Sequence, residues 1–168
     1  LQSGPMVGYS TMREVALWVQ TNQPATVYFQ YWAVDNPKEI FKTAQAQTTS
    51  ASAFASTLVA DKVLPSKKYE YQLFINGSKI DLAYPLQFQS QALWKWRADP
   101  PAFKFALGSC VYVNEPAYDR PNEAYGGNYE IFTSIHARKP DFMLWLGDNT
   151  YLREADWNSR TGIMHRYT

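Results

Sequence analysis

A chain of 168 residues, 46% apolar and 18% charged, is a foldable composition, and a net charge of +1 singles out neither nucleic acid nor an acidic membrane as partner. Its one cysteine excludes an internal disulfide framework, and no apolar run approaches the roughly 20 residues that a membrane-crossing helix needs. The 16% aromatic content, with six Trp and twelve Tyr, suits a β-rich or secreted protein, although aromatic rings also simply fill cores. Leu1 stands where an initiator Met would, so we expect that a preceding segment such as a signal peptide has been removed.

Up to residue 93 the pattern is β throughout. Glu14–Gln20, Thr26–Trp32, Ala53–Val59 and Tyr69–Ile75 alternate apolar with polar residues, and Leu86–Gln89 is a last short strand. Asn76-Gly77 directly after the fourth run is a hairpin signal, because both residues tolerate the positive φ of a tight turn. Thr43–Ser52, biased to Ala, Gln, Thr and Ser, reads as an edge strand and loop. Six or seven short strands in about 90 residues predict a sandwich. Leu64-Pro65-Ser66-Lys67-Lys68-Tyr69-Glu70-Tyr71 has the form of a tyrosine corner, in which a phenol bonds back to the backbone. Residues 1–93 thus resemble a fibronectin type III or immunoglobulin-like module.

Residues 94–101, with Trp94, Trp96 and Pro100-Pro101, read as a linker, the two indoles packing it rather than forming a sugar-stacking platform. From residue 102 the grammar changes to α/β. Phe103–Leu107 is an apolar strand without alternation, followed by a Pro/Gly/Asn-rich loop over Asn114–Asn128. Tyr129–Arg138 reads as a helix with Ile131, Phe132 and Ile135 on one face, Asn128 as cap and Pro140 as stop. Phe142–Leu146 is the next strand, and strand–helix–strand makes a right-handed crossover with parallel strands. Thr161–Thr168 starts another helix. Such a two-stranded unit leaves a face and both edges unsatisfied, so residues 102–168 read as the incomplete opening of an α/β domain.

Both strands end where chemistry is usually placed in α/β proteins. The first runs into Gly108-Ser109-Cys110 and the second into Gly147-Asp148-Asn149-Thr150-Tyr151, with Gly147 permitting the sharp turn. Singly, each residue has an ordinary reading: a cysteine at an apolar strand end is usually a buried small hydrophobe, Gly-Asp a turn, and a tyrosine a packing element. Together they offer thiolate, carboxylate and phenolate to one crevice. That anionic mixture suits ferric iron, and thiolate sites also accept zinc. Arg120, Arg153 and Arg160 read as solvated or ion-paired rather than phosphate-binding, and Gly126-Gly127 lacks the spacing of a phosphate cradle. His136 and His165 are not assigned as ligands.

Gly108-Ser109-Cys110, Tyr129-Glu130-Ile131-Phe132, Pro140-Asp141-Phe142 and Leu146-Gly147-Asp148-Asn149-Thr150-Tyr151, in that order after a sandwich, resemble the opening of the alkaline phosphatase D (PhoD-like) metallophosphatase family. The resemblance implies an extracytoplasmic enzyme that hydrolyses phosphate mono- and diesters with metal-activated hydroxide, using Fe(III) with calcium. By position, Cys110 and Tyr151 would bind iron, and Asp148 would bridge to the second metal. Further Asn, His and Asp ligands would have to come from segments beyond Thr168. We therefore expect this chain alone to be inactive and to need the remainder of a catalytic domain. The alternative is a non-catalytic β-sandwich binding or interaction module with a truncated α/β stub.

Overall fold

A computed structural model describes residues 1–112, 117, 121–122 and 129–167. The strands of the first part are β1 (Ser3–Ser10), β2 (Val15–Gln20), β3 (Thr26–Ala33), β4 (Asn36–Lys42), β5 (Ala46–Gln47), β6 (Ala55–Ala60), β7 (Lys68–Ile75), β8 (Ser78–Lys79) and β9 (Gln87–Gln89). They form two antiparallel sheets. One has the order β1-β2-β6; the other runs β4-β3-β7-β8, with β5 paired to β3 and β9 to β7.

The two sheets close on one core because their alternating residues point inward: Val15, Leu17, Val19, Leu58 and Ala60 from the first, and Val27, Phe29, Tyr31, Tyr69, Tyr71, Leu73 and Phe88 from the second. Tyr31, Tyr69, Tyr71, Phe29 and Phe88 form a linked aromatic cluster within it. The residues that look out of place there are satisfied. Thr48 Oγ1 meets Thr21 Oγ1 at 2.7 Å and accepts from the Ala25 amide, and Thr43 Oγ1 accepts from the Phe29 amide, so this Thr-rich stretch supplies the bonds that an irregular strand cannot.

The tyrosine corner is present: the Leu64 amide donates to the Tyr69 hydroxyl at 2.8 Å. The hairpin at Asn76-Gly77 is present too, with φ of 50° and 81° at the two turn residues. Two strands that the pattern did not predict are β1 and β4. The first contains Gly4 and Pro5 and the second Pro37, each sits at a sheet edge, and neither has a regular alternation of buried residues. Trp96 corrects the expectation that the linker indoles are packed: it is 90% exposed, following a turn in which the Arg97 and Ala98 amides donate to the Trp94 carbonyl.

A second compact unit begins at Pro101. It contains β10 (Phe105–Gly108), α1 (Glu130–Ala137), β11 (Phe142–Trp145) and α2 (Arg160–Tyr167). Strands β10 and β11 are parallel, with Phe105 opposite Phe142 and Gly108 opposite Trp145. Pairing starts two residues later than the apolar run because Lys104 and Asp141 bond just outside it, the Lys104 amide to the Asp141 carboxylate at 2.7 Å and the Asp141 amide to the Lys104 carbonyl at 2.8 Å. The anticipated cap Asn128, most of the Asn114–Asn128 loop, Arg120 and Gly126-Gly127 lie outside the described residues; Tyr129, at φ 63°, occupies the position before α1.

The expectation of a two-stranded unit with an unsatisfied face agrees with the exposure of its apolar residues. Ile131 and Phe132 are exposed, as are Phe103, Phe105, Leu107, Phe142, Leu144 and Leu146 on and beside the strands. Every buried hydrophobic residue among the described ones lies between Val15 and Phe88. The second unit is therefore an open sheet with apolar faces, not a closed domain.

Candidate functional site

The ends of β10 and β11 are tied together before any functional side chain is considered. The Leu146 amide donates to the Gly108 carbonyl at 2.8 Å, the Val111 amide to the Asp148 carbonyl at 3.0 Å, and the Ser109 hydroxyl to the Gly147 carbonyl at 3.1 Å. Gly108 suits this closeness: a Cβ there would lie 2.5 Å from Met143 Cε, at the end of a flexible side chain, and 3.1 Å from the Trp145 ring. Gly147 turns the chain at φ 122°, a conformation that side chains other than glycine's resist.

Beyond those ties, Cys110 (φ 63°) and Asp148 (φ 49°) both take left-handed backbone conformations. This conformation is less favourable for residues with a Cβ, and here it turns both loops toward each other. Its result is convergence. Cys110 Sγ lies 3.5 Å from Asp148 Oδ2, and the Tyr151 hydroxyl donates to that same oxygen at 2.7 Å. The cysteine is free and exposed, not buried among aliphatic side chains.

The neighbouring Cys110 thiol and the Asp148 carboxylate, both held against the phenol, raise the Tyr151 proton's affinity well above the usual tyrosine range. The ring of Tyr151 stacks at a tilt on Tyr112, 5.7 Å between centroids, and the Arg153 guanidinium sits 4.6 Å over the other aromatic, Tyr112. Arg153 thus joins the wall of the site through a cation–π contact, a role that its sequence position did not reveal. Arg160 and His136 are exposed, and no described side-chain contact joins either of them to the site.

Thiol, carboxylate and phenol, the first and last both meeting Asp148 Oδ2, are groups that could serve as anionic metal donors once the thiol and phenol are deprotonated. Counting only His, Cys, Asp and Glu side chains, however, no group of three or more among the described residues could hold an ion. The cluster depends on its phenol for a third donor.

The model of a family described as Domain of unknown function (DUF7800) matches residues 1–93. No curated protein matches the chain. Among solved structures, that of PhoD superposes with a TM-score of 0.63 at 19% identity, covering 93% of this chain and 29% of that one. This is a distant structural resemblance, and at that identity it shows a shared fold. The chain spans under a third of PhoD's length. The sensor domain of the anti-sigma factor RsgI4 in Pseudobacteroides cellulosolvens matches with a TM-score of 0.42 at 12% identity, over 53% of this chain and 73% of that one. The fn3 domain of human contactin 1 matches at 0.35 and 17%, over 58% and 77%. The last two superpose too loosely to carry an argument.

Proposed function

This chain belongs to the family described as Domain of unknown function (DUF7800), and from that starting point we propose that it acts as a non-catalytic β-sandwich binding module followed by an α/β stub. The observation that carries this reading is the location of the core. All buried hydrophobic residues among the described ones belong to the sandwich, whereas Cys110, Asp148 and Tyr151 stand on a two-stranded sheet whose apolar faces are exposed. Reacting groups need supports locked by packing, and a loose support of this kind does not hold catalytic geometry.

A second reading is favoured by one specific observation, the meeting of thiol, carboxylate and phenol at Asp148 Oδ2. In it the stub belongs to an extracytoplasmic metallophosphoesterase acting on phosphate mono- or diesters, and the rest of a catalytic domain covers the exposed sheet and adds ligands. Cys110 and Tyr151 would hold Fe(III), and Asp148 would reach a second ion such as calcium. A metal pair there would supply Lewis acidity toward a phosphoryl oxygen. This chain's own residues would position it: Gly108 and Gly147 bring the two loops together, and Tyr151 would have to surrender its firmly held proton. No helix among the described residues is long and apolar enough to cross a membrane.

Two measurements on the 168-residue chain test the readings. With Fe(III) and calcium supplied, neither reading expects this chain alone to hydrolyse bis-p-nitrophenyl phosphate; turnover that disappears in Cys110→Ala and Asp148→Asn would overturn the module reading, and it is metal binding that separates the two. The metal reading expects a visible tyrosinate-to-iron charge-transfer band on Fe(III) addition, lost in Tyr151→Phe. A band that persists in that variant would remove Tyr151 from the ligand set.

A further inference from the structure

The outer face of the second sheet carries a row of aromatic and polar side chains. Opposite the core, β3 and β7 set Tyr28 against Phe74, Gln30 against Gln72, and Trp32 against Glu70 in register. The outcome is a stripe of aromatic rings with two amides in its middle, all half-buried. At the Trp32 end the segment Ile80–Gln87 rises beside the sheet and makes an open groove of about 210 Å³. That wall is fixed: Gln72 Nε2 donates to the Ile80 carbonyl at 2.5 Å, the Tyr71 amide to the Leu86 carbonyl at 3.0 Å, and the Tyr84 hydroxyl to the Gly4 carbonyl at 3.1 Å.

Glu70 lies on the groove floor with both carboxylate oxygens already oriented. Trp32 Nε1 donates to Oε2 at 3.1 Å and Gln87 Nε2 to Oε1 at 3.3 Å. Each oxygen retains a second acceptor direction, and the Gln87 amide keeps its carbonyl. Tyr84, 49% exposed, and Trp32 supply ring surface around these groups.

From this arrangement we propose that the groove binds a neutral oligosaccharide, with pyranose rings lying against Trp32 and Tyr84 and hydroxyls bonded to Glu70, Gln72 and Gln87. The inference rests on the reading of the sandwich as a binding module. The chemistry selects this class of ligand over the others. Sugar hydroxyls are donors and acceptors at once, which carboxylates and amides answer in pairs, while the carbon-bound hydrogens of the ring prefer the electron-rich face of an aromatic. Glu70 lines the groove with no Lys, Arg or His among its walls, and Asp81 there is paired with Lys79 at 2.7 Å, so nothing in the groove offers an anion a cationic partner. An extended peptide would need a sheet edge to extend, and β8 and β9 offer two and three residues. A drug-sized apolar ligand needs a larger and more closed cleft than about 210 Å³.

The test titrates the 168-residue chain with hexasaccharides of glucose, xylose, mannose and N-acetylglucosamine, following tryptophan fluorescence and amide NMR shifts. We expect saturable binding of at least one of the four, with shifts centred on Trp32, Gln72 and Gln87. Trp32→Ala should weaken it at least tenfold, and Tyr84→Ala, at a half-exposed site outside the core where the change also removes one wall hydrogen bond, provides the same reading if the first variant fails to fold. Met6→Ala, on the other sheet, should leave affinity unchanged. Absence of binding to all four sugars, or binding that survives Tyr84→Ala and Glu70→Gln undiminished, overturns the inference. Neither result touches the module reading, which phosphoester turnover by this chain would overturn instead.

Discussion

Tyr69 shows how a single atom can set a fold's corner. Its ring is part of the core, stacked on Phe88 at 5.1 Å, while its hydroxyl reaches back five residues to the Leu64 amide at 2.8 Å. Packing and hydrogen bonding are therefore separable here. Tyr69→Phe keeps the ring and removes only the acceptor, at a cost of about 1 kcal/mol for a bond of this kind. Chemical denaturation of that variant should lower the midpoint without changing the slope, because the surface exposed on unfolding is the same. A changed slope would mean that the corner organises more of the sandwich than one bond. At the candidate site the same scale of reasoning applies to Cys110 and Asp148, whose left-handed backbones aim a thiol and a carboxylate at each other.

Among the elements, alternation made β3 and β7 legible because each has one face on a core and the other turned away, while the central strand β2 is buried along nearly its whole length and β6 alternates only in its second half. Strands β1 and β4 escaped for the opposite reason: Met6, Val7, Tyr9 and Ile40 are exposed at sheet edges, so no burial pattern disciplines their sequence. The site was legible as two apolar runs ending in Gly-Ser-Cys and Gly-Asp-x-x-Tyr. The backbone conformations that make those residues meet were not, since nothing in residue type signals a left-handed cysteine. Helix α2 was anticipated from Thr161, but what fixes it was hidden. Buried Asp156 accepts from the Arg153 amide at 2.7 Å and from Arg166 Nε at 2.8 Å, and Gly162 lets the helix pass over it. A Cβ on Gly162 would fall 2.5 to 2.8 Å from Asp156 backbone atoms, which cannot rotate aside. Helix propensity favours alanine over glycine by about 1 kcal/mol, while overpacking costs roughly 1–3 kcal/mol. We expect the clash to win: Gly162→Ala should destabilise and speed amide exchange across Arg160–Tyr167. Slower exchange there would show that the contact is slack. The Arg166 guanidinium, followed by the Arg153 amide, holds the Asp156 carboxyl below its ordinary range, so this anchorage is complete above about pH 4 and fades with acidification below it.

Over the whole molecule, the division of buried surface predicts unequal responses to alkali. Tyr31 and Tyr71 lie in the sandwich core, and burial raises both phenols from an ordinary 10.0 to about 12. Tyr31 also accepts from the Lys62 amide at 2.9 Å, which moderates the shift, and lies close to the Asp61 carboxylate, which adds to it. The unfolded chain releases these two protons near pH 10, whereas the folded sandwich retains them until about 12. Folding therefore binds protons in that interval, and stability must fall as pH rises through it. Below pH 10 the contribution is complete; above about 12 both states are ionised and no further loss comes from these rings. The second unit has no buried tyrosine among its described residues, and Tyr129 and Tyr167 are exposed; there Tyr151, held by Cys110 and Asp148 at an open site where solvent screens the effect, has its phenol raised, so its response to alkali is the smaller one. Thermal unfolding recorded at pH 9, 10.5 and 11.5 should thus show the sandwich transition moving down steeply, with Tyr71→Phe reducing the slope because the phenylalanine ring has no proton to lose. A sandwich transition independent of pH across this range would mean that water reaches the two phenols, and that the aromatic cluster is more open than its packing describes.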